Sequence, residues 1–142
     1  MSNKNAPGRS LLRTSGILYI VTGIWGLLVG TFAMLGVAWF GGDVAEVAGA
    51  EVAGAVLGAV FAVGLVEVIV AAWRLFVGFM GFRNADNLGK AKMLRILIIV
   101  ALVVNTISIV TSFIGGVIPW WGLAYLILAV TYFMGAQRNI NA

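Results

Sequence analysis

Apolar residues run along this chain in four long stretches, separated by short polar connections. The first, Gly16 to Phe40, is 25 residues long and carries no charge. That is well beyond the ~7–15 residues of a signal-peptide core, so it reads as a first membrane span rather than a leader. Gly41-Gly42 is expected to end it, with Asp43 as the N-cap of the next helix and Glu46 as its capping-box partner. A single helix from Val44 to Phe82 would be about 58 Å long, against a hydrocarbon thickness of ~30 Å. Either its first turns stand outside the bilayer or it breaks near Gly49 or Gly54. Residues 83–92 (RNADNLGKAK) form a polar loop, and a third stretch follows from Met93 to Ile114. Gly115-Gly116 closes that stretch, and Pro119 stands where a fourth helix would begin, a position that tolerates proline.

The pattern predicts an all-α integral membrane protein, a bundle of four transmembrane helices spanning about 15–40, 52–82, 93–114 and 119–136. Residues 1–14 form a polar, basic and poorly ordered N-terminus, and 137–142 a polar tail. Composition agrees. The chain has 142 residues, 62% of them hydrophobic and 10% charged. Soluble domains carry about 25% charged residues. A soluble fold of this size has too little interior for so much apolar surface.

The cations fix an orientation. Lys4, Arg9 and Arg13 precede the first span, Arg83, Lys90, Lys92 and Arg95 lie between the second and third, and Arg138 follows the fourth. The other two connections have no Lys or Arg, and the first of them carries Asp43, Glu46 and Glu51. By the positive-inside rule both termini and the central loop are cytoplasmic, in the plasma (inner) membrane. Trp39, Trp120 and Trp121 then fall at the outer boundary as interfacial anchors. The net charge of +4 is accounted for by topology, and nucleic acid is not an expected partner.

With no His and no Cys, imidazole catalysis, thiol chemistry and zinc sites are excluded within the chain. No Lys or Asp falls within a span to activate a serine, so an enzyme is not expected, and no metal or cofactor is implied. The informative residues are polar ones inside apolar stretches. Glu67 and Arg74 are seven apart, so they lie within about 20° of one helical face. Charged groups at such positions cost about 2.5–3.5 kcal/mol each on insertion scales and mark a functional hypothesis. Asn105, Ser108, Thr111 and Ser112 form a polar stripe on the third span, at depths matching those of Arg74 and Glu67. This places Arg74 near Asn105 and Glu67 near Thr111 or Ser112, as an expectation. Against it stands a plain structural reading, in which Arg74 snorkels and the hydroxyls bond their own helix.

A lone carboxylate in a small-residue helix is also the chemistry of ion-carrying rotor rings, but Arg74 shares the face of Glu67. Small multidrug transporters carry their glutamate in the first span, where this chain has none. Neither family fits.

Small residues supply the second feature. Gly23, Gly26 and Gly30 in the first span, and Gly54, Gly58 and Ala62 in the second, permit close backbone approach. Gly58 lies nine residues from Glu67, on the opposite face. The expected function is a non-catalytic, self-associating scaffold or an accessory subunit of a membrane assembly, with the lipid bilayer and a second copy or another membrane protein as partners. The alternative is a small channel or proton-coupled transporter using Glu67, Arg74 and Asn105.

Overall fold

A computed structural model describes residues 5–116 and 118–142. Lys4, counted above among the N-terminal cations, lies outside the described residues. The described chain is all-helical, in the order α1 (Arg9–Ala48), α2 (Ala50–Arg83), a single 3-10 turn (Leu88–Lys90), α3 (Ala91–Ile114) and α4 (Trp120–Ile140). Three segments, Arg9–Ala48, Ala50–Arg83 and Leu88–Ile114, are long and apolar enough to cross a membrane. In the shorter α4, apolar residues are interspersed with Trp120, Trp121, Tyr125, Tyr132 and Gln137.

Two boundaries differ from the sequence expectation. Gly41-Gly42 does not end α1, which continues through it to Ala48, so Asp43 lies inside a helix and is not an N-cap. Each glycine costs about 1 kcal/mol in a helix interior, too little to stop a 40-residue helix whose end still packs at Gly41 on Leu57. The break falls at Gly49, one of the two positions considered, where φ is +84°. Gly49 donates to Ala45 O and accepts from Ala53 N, both at 3.0 Å, so its own backbone groups close the end of α1 and open α2. The N-terminal segment is also more ordered than expected: Ala6 and Gly8 are buried and helix begins at Arg9. Gly115-Gly116 does end α3, with φ at +73° on Gly116.

The chain forms two compact units. One is Val21–Leu75, a hairpin in which α1 and α2 run antiparallel. Its buried residues are all small: Gly23, Gly26, Gly30, Ala53, Gly64 and Ala71. A Cβ added at Gly30 would stand 2.7 Å from Gly64 O, and one at Gly64 would stand 2.9 Å from Gly30 O. The hairpin is held by backbone surfaces in contact, as in small-residue membrane helix pairs.

The other unit is Met1–Ile20 with Phe76–Ala142, and it is built differently. Large side chains are fully buried here, Tyr132, Leu12, Leu94, Ile98 and Val77 among them. Tyr132 Oη donates to Val77 O at 3.0 Å, and its ring meets Tyr19 edge-on at 5.9 Å. Buried Asn139 accepts from Gly8 N at 2.6 Å and donates to Ala85 O at 2.9 Å. One α4 side chain thus satisfies a backbone group at the start of α1 and another just after α2.

Elsewhere the apolar side chains point outward. Trp25 is 67% exposed, Phe32 65% and Ile69 61%. Apolar surface on this scale suits contact with a membrane, in agreement with the three helices long and apolar enough to cross one.

Candidate functional site

Glu67 and Arg74 meet directly. Arg74 Nη1 lies 3.0 Å from Glu67 Oε1, a hydrogen-bonded ion pair along α2. Seven residues rise about 10.5 Å along a helix, so the contact depends on the long arginine stem running back along the helix and on what lies between. That residue is Ala71, fully buried, whose single methyl leaves the path open.

The pair is covered from α1 by Gly26. A Cβ there would fall 2.6 Å from Glu67 Oε1, 3.0 Å from Ala71 Cβ and 3.5 Å from Arg74 Nη1. Absence of a side chain at 26 is therefore what lets the pair sit in the helix contact. The two groups are unequally sheltered: the Arg74 side chain is 15% exposed and that of Glu67 33%. Chemically the site is a neutralised pair with one carboxylate oxygen engaged by the guanidinium.

The α3 stripe divides. Asn105 Nδ2 donates to Gly122 O of α4 at 3.0 Å, tying the two helices at the level where Gly122 packs on Ile109. Thr111 bonds Ile107 O at 3.1 Å and Ser108 O at 2.9 Å, and Ser112 bonds Ser108 O at 2.9 Å. These hydroxyls satisfy carbonyls of their own helix, the plain reading for Ser and Thr in an apolar setting. Ser108 itself is exposed.

The small residues also divide. Gly23, Gly26 and Gly30 face α2 within the hairpin. Gly54 and Gly58 have nothing within 4 Å of an added Cβ, and Ala62 is exposed. Trp39, Trp120 and Trp121 are exposed at 67%, 72% and 78%.

A second polar cluster, around Asp86, was not singled out by the sequence reading. Arg9 Nε lies 2.6 Å from Asp86 Oδ1 and Arg13 Nη2 lies 3.2 Å from Asp86 Oδ2. The available signal was that Asp86 is the one acid within a strongly basic region and that Arg9 and Arg13 are one helical turn apart. Arg95 Nη1 joins Gln137 Oε1 at 3.2 Å in the same unit.

No protein-family model, no curated protein and no solved structure matches the chain.

Proposed function

We propose that this chain is a non-catalytic membrane protein that crosses the plasma membrane four times and works as a self-associating scaffold or as an accessory subunit of a membrane assembly. Both termini and the loop at 83–92 lie on the cytoplasmic side, a placement supported by the distribution of Lys and Arg. The 21 residues of α4 extend about 31 Å, enough for a fourth span.

The observation that carries this reading is the asymmetry of α2. Its face with Gly64, Glu67 and Ala71 is used against α1, and the Glu67–Arg74 ion pair sits on that face. The opposite face, with Gly54, Gly58 and Ala62, is of the kind that brings helices together and is left open within the chain. Gly58→Leu should therefore lower the oligomer size seen by native mass spectrometry in mild detergent. An unchanged size would remove this face from the contact.

One observation favours the alternative of a channel or proton-coupled transporter: Glu67 is the more exposed partner of its pair, at 33%. On that reading the unmodified protein conducts ions or solute in reconstituted vesicles, and Glu67→Gln abolishes the flux without changing assembly. The scaffold reading expects no flux from either.

A further inference from the structure

We infer that Arg9 and Arg13, held on Asp86, form a docking site for the phosphate of an anionic phospholipid; the inference rests on the membrane reading above.

Three observations converge. First, α1 begins with two cations one turn apart and no acid in its first turn. The positive end of the helix dipole adds to both charges, the reverse of the usual arrangement, in which acids occupy the N-terminal turn. Both guanidinium groups converge on the one carboxylate of Asp86. Second, exposure is unevenly divided: Asp86 is 16% exposed while Arg9 is 32% and Arg13 43%. The acid is covered and the two guanidinium groups are the more exposed partners, carrying donors in the planar fork that suits phosphate. Third, the arginines stand over apolar surface. The Arg13 guanidinium lies 5.8 Å from the centre of the Phe82 ring, which is 42% exposed. Ile17, one turn beyond Arg13 on the same face of α1, is 47% exposed. A cationic head above an apolar wall is complementary to a phosphate joined to acyl chains. Topology accounts for cations on this side, but it does not require two of them to converge on one covered carboxylate.

The test is native mass spectrometry of the full-length protein in detergent, comparing retention of phosphatidylglycerol with that of phosphatidylcholine of the same chains. Phosphatidylglycerol should be retained preferentially, and R9Q/R13Q should reduce its retention by about five-fold for each arginine removed. K90Q/K92Q removes the same charge from exposed positions and should leave retention within about two-fold of the unmodified protein. Asp86→Asn frees both guanidinium groups and should raise retention. Should R9Q/R13Q lose its helicity by circular dichroism, the Asp86→Asn result decides alone, and unchanged or lower retention there overturns the proposal. Equal retention of the two lipids, an equal loss in K90Q/K92Q, or displacement by excess inorganic phosphate overturns it as well. A chain that is monodisperse without detergent and takes up neither lipid would instead refute the membrane reading.

Discussion

Gly26 of α1 lies directly over the Glu67 carboxylate of α2, so close that a methyl group there would stand 2.6 Å from Oε1. The ion pair and the glycine are one device. A charged pair within an apolar helix contact must be neutralised and must fit, and Arg74 meets the first need while Gly26 and Ala71 meet the second.

Substitutions along the α1 face should therefore rank by what the new side chain meets. Gly30→Ala presses on Gly64 O at 2.7 Å and Val68 N at 3.1 Å, backbone atoms that yield only if the helices separate. Its cost should be about 1–3 kcal/mol. Gly26→Ala meets the end of a flexible glutamate first and should cost less. Gly36→Ala meets nothing within 4 Å and should be neutral or stabilising by up to about 1 kcal/mol. Thermal unfolding in detergent would check the order, and an equal effect at all three positions would refute the packing described.

The two partners of the ion pair should not be equivalent. Glu67→Met leaves behind a guanidinium group that is 15% exposed, whereas Arg74→Met leaves a carboxylate that is 33% exposed and nearer to solvent. Glu67→Met should be the more destabilising of the two, and the double variant should be less destabilised than the sum of the singles, by a coupling of about 0.5–3 kcal/mol. Additive losses would mean that the 3.0 Å contact contributes nothing.

Much of this was legible in the sequence, and the reasons for the remainder are specific. Long apolar stretches located the helices and Gly115-Gly116 the end of α3, because length and backbone freedom are local properties. The shared face of Glu67 and Arg74 followed from a seven-residue spacing. Their contact did not, because it depends on Ala71 between them and on Gly26 from another helix. The run of α1 through Gly41-Gly42 is not legible in the sequence, because paired glycines suggest a terminus while the neighbour of Gly41, Leu57, comes from another helix. The pairing of Asp86 with Arg9 and Arg13 joins residues more than 70 positions apart, and no periodicity within one segment reports it.

Asn139 offers a test of the larger-cored unit. It is 2% exposed and serves two backbone groups distant in sequence. Asn139→Ala strands both and should cost about 2–4 kcal/mol, taking about 1–3 kcal/mol for each unsatisfied group, with partial relaxation. Asn139→Asp retains the acceptor for Gly8 N but turns a carboxylate oxygen toward Ala85 O, and should be no more stable than the alanine variant. Chemical denaturation followed by tryptophan fluorescence would check both, and a neutral Asn139→Asp would contradict the donor assigned to Ala85 O.

Tyr132→Phe removes one hydrogen bond to Val77 O while keeping the ring against Tyr19, and should cost about 1 kcal/mol. Gly81→Ala drives a methyl into that ring and should cost more, because the fully buried tyrosine has nowhere to move. Equal midpoints for the two variants would argue against the placement of the ring.

The central claim is that this chain crosses a bilayer with its cations on one side, and the absence of cysteine makes it directly testable. Single-cysteine variants Val47→Cys, Lys90→Cys and Ile118→Cys occupy exposed positions: in the last turn of α1 beside Gly49, in the 3-10 turn between α2 and α3, and in the connection between α3 and α4. In intact cells a membrane-impermeant maleimide should label positions 47 and 118 but reach position 90 only after permeabilisation. Labelling of position 90 from outside, equal labelling of all three in intact cells, or recovery of the protein in the soluble fraction would contradict the account.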